Sequence, residues 1–304
     1  VALSTIAVIG LSGCVTIVPS APVPVADGSV PQEQDDDFGT VDVYTVLDDG
    51  TLDPAASGLT ATVWDTLTRV PPADFAAEVM TQYRVGDSAS SNTLAYVYQD
   101  DDPQYWVLAA NLATSDDPTQ LVATLIHEYG HILMLATDEG DPTATSCDTI
   151  ELDEGCAHGD SVLLAFQQQF WAPYGDAAPE LSNTDADLAW EFYLAHEDDF
   201  VSDYAATNAI EDAAETFMTF VLEDEPTGDS MVARKLEFFW GYPELVAIRE
   251  RIRTEFADDL GLDVSLVRRR YSSYTPVPGT DRGLLIDNGD EAATRDSFAS
   301  VGAA

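Results

Sequence analysis

The sequence predicts an α+β fold with a small N-terminal sheet and a helical C-terminal half. Segments rich in β-branched and aromatic residues come first, helical segments with capping residues follow, and no internal repeat separates them. With 304 residues, of which 45% are hydrophobic, the chain can bury a substantial core. We expect one folded domain over residues 41–272.

The charge balance is strongly acidic. The chain has 55 Asp and Glu against 12 Lys and Arg, a net charge of -43, and Lys235 is its only lysine. Such a surface repels the phosphates of nucleic acids and anionic lipids, so attraction by charge to either is excluded. We interpret the charge mainly as a solubility trait, and we expect a monomer that does not bind nucleic acid.

The N-terminus resembles a bacterial lipoprotein signal. Residues 1–13 are uncharged and almost wholly apolar or small, a run shorter than the roughly 20 residues that span a membrane. The run ends in Leu11-Ser12-Gly13-Cys14, which is similar to the lipobox whose cysteine is lipidated. The resemblance implies an exported, cell-surface lipoprotein that a lipid on Cys14 anchors to the membrane. A buried N-terminal strand with an ordinary cysteine is the alternative.

Two segments outside the predicted domain have the composition of irregular chain. Residues 14–40 are rich in proline, small residues and acids, which predicts a flexible tether. Residues 273–304 contain turn residues and few large apolar groups, which predicts a loosely structured tail.

Within the domain, the segment TLAYVYQDDDPQYWVLAANL predicts two strands joined by an acidic turn over residues 99–103. A helix should follow over residues 118–136, with Asp117 as its cap and Pro118 at its first position. Further helices are predicted at intervals down to the C-terminal region, including one that begins after Asn208.

Two of the three cysteines form a natural pair. With Cys14 assigned to the lipid, Cys147 and Cys156 remain, nine positions apart in the sequence. In an exported protein such a pair usually closes a disulfide loop. Two free thiols or a metal-binding pair is the weaker alternative.

The helix over residues 118–136 contains His127, Glu128 and His131, the pattern H-E-x-x-H. Residues four apart lie on one helix face about 6 Å from each other, so both imidazoles can face one zinc ion. Glu128 projects about 100° round the helix from His127, where its carboxylate can act as a general base on a metal-bound water. Gly130 would let another backbone pack close. The alternative is a pair of ordinary core or surface histidines.

A catalytic zinc needs a third protein ligand. The metzincin extension is excluded, because Met134 and Thr137 stand where a glycine and a histidine are required. His158 and His196 are conceivable ligands. A better candidate is the pair of glutamates four positions apart on the helix after Asn208, where one carboxylate binds metal and the other orients a histidine. These two residues are Glu211 and Glu215, and their alternative interpretation is a solvated acidic face.

The motif HEYGH followed by YAATNAIEDAAETF resembles the gluzincin metallopeptidases, in particular the catalytic domain of anthrax toxin lethal factor and its relatives. The resemblance implies a zincin-like fold with one Zn²⁺ per chain. It implies His127, His131 and Glu211 as the zinc ligands, and Glu215 as the carboxylate that orients a ligand.

The resemblance also implies a mechanism, namely hydrolysis of a peptide bond by an activated water. Glu128 is implied as the general base that takes the water proton and passes it to the leaving amine. Tyr204 is implied as the phenol that stabilises the oxyanion or protonates the leaving group. Residues 104–111 resemble the edge strand along which zincins hold extended peptides, with an ordinary core strand as the alternative.

Two functions follow from these residues. The first is a lipid-anchored, extracytoplasmic zinc peptidase that acts on a peptide or protein. The second is a non-catalytic surface lipoprotein in which a zincin fold holds a structural metal and binds a partner. Glu128 favours the enzyme, because a structural site has no need of a general base.

Overall fold

A computed structural model describes residues 29–260, and this part of the chain has the predicted α+β fold. Its strands are β1 (Gln32–Asp35), β2 (Gly39–Val46), β3 (Leu52–Asp53), β4 (Met80–Gly86), β5 (Ala95–Gln99), β6 (Trp106–Asn111), β7 (Gly140–Asp141), β8 (Glu151–Leu152) and β9 (Gly155–Ala157). Its α-helices are α1 (Gly58–Arg69), α2 (Phe75–Val79), α3 (Pro118–Leu135), α4 (Val162–Phe166), α5 (Ala186–Ala195), α6 (Ala209–Leu222), α7 (Met231–Trp240) and α8 (Pro243–Glu255).

The main sheet is mixed, with the strand order β1-β2-β4-β6-β5 and β3 paired to β2. Strands β4 and β6 run parallel, and the other neighbours are antiparallel. Every residue of β6 is buried, as expected for a strand inside a sheet that helices cover. Helices α3 and α6 pack against each other, and β5 lies beside α3. Helix α3 thus packs against the sheet at β5, and α6 packs against α3.

The predicted tether over residues 14–40 is wrong at its C-terminal end. Residues 32–35 form β1, which pairs with the start of β2. The acidic run closes this hairpin, because one oxygen of Asp35 accepts the backbone N–H groups of Asp37 and Phe38, each at 2.9 Å. Phe38 is buried against the sheet. The run therefore makes a turn stabilised by a side chain, where composition alone indicated solvated chain.

Of the two interpretations of residues 104–111, the edge strand is wrong and the ordinary core strand is confirmed, as are the two strands and the acidic turn between them. Residues 106–111 form β6, which pairs with β4 on one side and β5 on the other. The edge of the sheet is β5, the first strand of the predicted pair. Gln99, at the end of β5, donates from its side chain to the carbonyl of Leu135 at 3.2 Å. The edge strand therefore runs alongside α3.

Some expectations fall outside the described residues. These concern the signal segment of residues 1–13, the lipidation of Cys14, the last part of the domain over residues 261–272, and the tail over residues 273–304.

Candidate metal centre

Helix α3 carries the H-E-x-x-H residues through the middle of the molecule. Its N-terminus is built as predicted, because the side chain of Asp117 accepts the N–H groups of Thr119 at 2.9 Å and Gln120 at 3.2 Å, and Pro118 follows the cap. Almost every side chain over residues 121–135 is buried. A helix buried on nearly all sides gives its polar groups a dry environment.

Helix α6 crosses α3 at close range because of a glycine. A Cβ atom at Gly130 would lie 3.1 Å from the ring of Phe217 and 3.5 Å from the Cα of Ala214, both on α6. The expectation of a close backbone approach at Gly130 is confirmed. Asn208 caps α6 as predicted, and its side chain accepts two N–H groups of the first turn, at 2.8 and 2.9 Å.

The two helices bring three ligand atoms together. The Nε2 atoms of His127 and His131 are 2.9 Å apart, and Oε2 of Glu211 lies 3.2 Å from each of them. These three residues form a group that could hold a metal ion. His127 is fully buried, and the side chains of His131 and Glu211 are 11% and 14% exposed. The group is therefore almost sealed from solvent, and the small exposed area belongs to His131 and Glu211.

A second glutamate of α6 contacts the far side of a ligand. Oε1 of Glu215 lies 3.0 Å from Nδ1 of His127, and Glu215 is completely buried. The hydroxyl of Ser202 donates to the other oxygen of Glu215 at 2.5 Å, and it accepts the N–H of Ala205 at 3.1 Å. This arrangement is the one that orients a metal-binding imidazole and sets its tautomer. Ser202 was not predicted from the sequence, where its only signal is its place two positions before Tyr204.

The electrostatics of the group favour a cation. Burial by itself lowers the pKa of His127, but the carboxylates of Glu211 and Glu215 outweigh it and raise that pKa to about 10. Burial raises the pKa of Glu211, but His131 and His127 outweigh it and hold that pKa well below its ordinary value. The two carboxylates thus stabilise positive charge at the place where the ligand atoms converge.

Glu128 projects from α3 beside this group and is buried to 1% exposure. Within residues 29–260, neither of its carboxylate oxygens has a hydrogen-bond partner of normal geometry. Burial raises its pKa to about 7, although the charges of His127 and His131 and the backbone N–H of Val97 on β5 act in the opposite direction. A buried carboxyl without partners is costly, and such groups are concentrated at functional sites.

Tyr204 lies against the site from a short 3₁₀ turn that precedes α6. Its side chain is buried, and its ring centroid is 6.0 Å from that of His127. The backbone N–H of Tyr204 is held by Asp203, whose side chain accepts it at 3.1 Å. The tyrosine is therefore fixed near a ligand by its own turn.

The two other histidines lie elsewhere. His158 contacts the backbone carbonyl of Asp138 at 3.1 Å, and His196 packs against the ring of Tyr174 with centroids 4.7 Å apart. Neither belongs to the ligand group among residues 29–260. The structure thus brings together Glu211 and the two histidines of α3.

The predicted disulfide between Cys147 and Cys156 is present, with the Cα atoms 5.3 Å apart. It ties a loop to the hairpin of β8 and β9, and Glu154 lies in the turn of that hairpin. Burial raises the pKa of Glu154, and the charge of His131 acts in the opposite direction, so the turn lies near the ligand group. Glu154 was not predicted as a site residue, because one acidic residue in a highly acidic chain carries no local signal.

Comparison with protein-family models, with curated proteins and with solved structures finds no match. Within residues 29–260, no helix combines the length and the apolar character needed to cross a membrane.

Proposed function

We propose that this chain is a zinc-dependent peptidase that acts outside the cytoplasm. The observation that carries the proposal is Glu128, a buried carboxylate beside three converging ligand atoms, whose oxygens make no hydrogen bond of normal geometry with residues 29–260. A metal site alone explains the ligands. It does not explain a further buried carboxylate next to them, and a general base does.

The ligand set fits zinc. Two imidazoles and one carboxylate are a common donor set for catalytic zinc, and ligand atoms at about 2.0–2.1 Å from a tetrahedral ion lie about 3.3 Å apart. The separations of 2.9 and 3.2 Å between the three atoms come close to this value. Structural zinc sites have four protein ligands, and only three are found among residues 29–260. The number of ligands supports the enzyme over the non-catalytic surface lipoprotein.

Each residue around the ligands has a separate role in hydrolysis. Bound zinc would supply a Lewis acid that polarises a peptide carbonyl and makes a water molecule more acidic. Glu128 takes a proton from the attacking water on its carboxylate and passes it to the leaving nitrogen, and burial, which raises its pKa, favours the protonated form that the second transfer requires. Glu215 holds the ring of His127, and the phenol of Tyr204 is assigned to the developing oxyanion.

The substrate that fits this site is an extended peptide. Strand β5 is the edge of the main sheet, and its Val97 directs a backbone N–H toward Glu128. An extended chain added to this edge would form main-chain hydrogen bonds and pass beside the general base. This assignment moves the peptide-binding strand from residues 104–111 to β5.

The anchor and the location form part of the same proposal. The lipobox-like sequence at Cys14 supports a lipid anchor, and the disulfide between Cys147 and Cys156 supports an oxidising compartment. The acidic charge does not oppose this arrangement, since a lipid on Cys14 would enter the membrane without charge attraction.

The metal centre is tested by elemental analysis of the chain and of its Glu211→Ala variant. We expect one tightly bound zinc per chain and its loss from the variant. Glu225→Ala, at an exposed position close in sequence, is the matched control and should keep the metal. A chain that binds no zinc would end the proposal, and a Glu211→Ala variant that keeps its zinc would assign the third ligand elsewhere.

Catalysis is tested separately with Glu128→Gln. An enzyme should lose hydrolysis of a fluorogenic peptide library by at least about 100-fold while it keeps its zinc. Glu191→Gln, on the exposed side of α5, is the control. If the unaltered chain binds zinc but cleaves no peptide, the non-catalytic lipoprotein becomes the better account.

A further inference from the structure

The only lysine of the chain is completely buried. Nζ of Lys235 on α7 lies 2.7 Å from Oδ2 of Asp212 on α6, and both side chains are 0% exposed. Within the described residues, the ammonium has no hydrogen-bond acceptor apart from this ion pair. Its other neighbour is the ring of Phe200, with the nitrogen 3.9 Å from the ring centroid.

Asp212 is held from three directions. Besides Lys235, its Oδ2 accepts the indole N–H of Trp171 at 2.7 Å, and its Oδ1 accepts the hydroxyl of Thr216 at 3.1 Å. Thr216 lies on α6 itself, whereas Lys235 and Trp171 lie outside it, so the contacts with these two residues fix the rotation of the first turns of α6 about the helix axis. Asp212 directly follows the ligand Glu211, so the direction in which that ligand projects depends on this rotation.

The ion pair also contacts the short segment whose residues touch Glu215 and His127. Phe200 lies under the ammonium of Lys235, and Ser202, two residues later, donates to Glu215. Tyr204, two residues after Ser202, lies beside the ring of His127. Residues 200–204 therefore join the ion pair to the groups that orient a ligand.

A contribution to stability is a weak reason for such a pair. The cost of removing both charges from water is large, and apolar residues of similar volume often replace buried ion pairs without loss of stability. An ion pair also makes a directional contact at a defined angle, which an apolar pair does not. The geometry thus points to a role in placing groups.

We propose that the pair of Lys235 and Asp212 is a positioning element for the metal centre. It holds Glu211 and the contact between Ser202 and Glu215 in the places where the ligand atoms converge. This inference rests on the metal centre of the proposed function, but it does not depend on peptidase activity.

The test compares the chain with Lys235→Met and with the double variant Lys235→Met, Asp212→Asn, which leaves no buried charge unpaired. We measure the zinc dissociation constant by competition with a chelator, the melting temperature, and the visible spectrum of the Co²⁺ form. The double variant should bind zinc about 10- to 100-fold more weakly, with a changed Co²⁺ spectrum, at temperatures far below its melting point.

Arg249→Met is the control for general destabilisation. Arg249 is another buried cation, on α8, and it donates to the carbonyls of Phe220 and Glu223. The Arg249→Met variant should have a lower melting temperature and an unchanged zinc affinity. If the double variant binds zinc as tightly as the parent chain, or if Arg249→Met weakens binding equally, the positioning role is refuted while the zinc peptidase stands. A parent chain without zinc would instead overturn the metal centre itself.

Discussion

Nδ1 of His127 lies 3.0 Å from Oε1 of Glu215, on the side of the imidazole away from Glu211. The ring is thus held between two carboxylates of one helix, one at each nitrogen. Glu211 and Glu215 are four residues apart and share a face of α6, so a single helix supplies both a ligand and its orienting partner.

Glu215→Ala should weaken zinc binding about 10- to 100-fold, because His127 loses the contact that sets its tautomer and orientation. The measurement is competition with a zinc chelator. Glu237→Ala, at an exposed position on α7, is the control. An unchanged dissociation constant in the Glu215 variant would show that the ring is held by its packing alone.

Gly130→Val should lower the free energy of unfolding by about 1–3 kcal/mol, because the added atoms would meet the ring of Phe217 across the helix crossing. It should also weaken zinc binding, since α3 and α6 carry different ligands. Urea unfolding and zinc titration measure the two effects. Gly159→Val is the control, because a Cβ at Gly159 meets nothing within 4 Å. Equal losses in both variants would argue against a specific role for the close approach.

Replacement of Cys147 and Cys156 by serine should lower the free energy of unfolding by about 2–3 kcal/mol, since the bond closes a loop of nine positions. Peptide hydrolysis should show a higher KM with zinc retained, because the hairpin that carries Glu154 loses its fixed place near His131. Urea unfolding and steady-state kinetics test this prediction. Loss of zinc together with stability would show that the disulfide supports the ligands themselves.

Tyr204→Phe should reduce kcat by about 10²- to 10³-fold with little change in KM or zinc content, because a donor to the oxyanion acts in the transition state. Tyr105→Phe, at a position 38% exposed, serves as the control. A kcat within a factor of two of the parent value would exclude the phenol from the reaction.

Local pattern was enough to predict one half of the site. The cap at Asp117, the apolar helix after it and the spacing of His127 and His131 depend only on helix geometry, which contacts elsewhere do not alter. The same holds for the cap at Asn208. The disulfide was predictable for another reason, since after Cys14 only one pairing remained.

Non-local contacts decided the remaining features. The acidic run forms a turn because the side chain of Asp35 accepts backbone N–H groups. The strand over residues 106–111 is internal because β4 pairs with its second edge. No periodicity encodes the neighbours of a strand. Ser202 and Glu154 could not be predicted from the sequence either. Their roles depend on Glu215 and His131, which are distant from them along the chain.

The sequence by itself determined the two helices that carry the site, their caps at Asp117 and Asn208 and the residue types that can bind a metal, because those properties depend on one or two helical turns. Only the tertiary structure decided that Glu211, far from His131 along the chain, completes the group, and that Glu128 is buried beside it. Both results depend on the crossing of α3 and α6 at Gly130 and on the buried contacts that fix the rotation of α6.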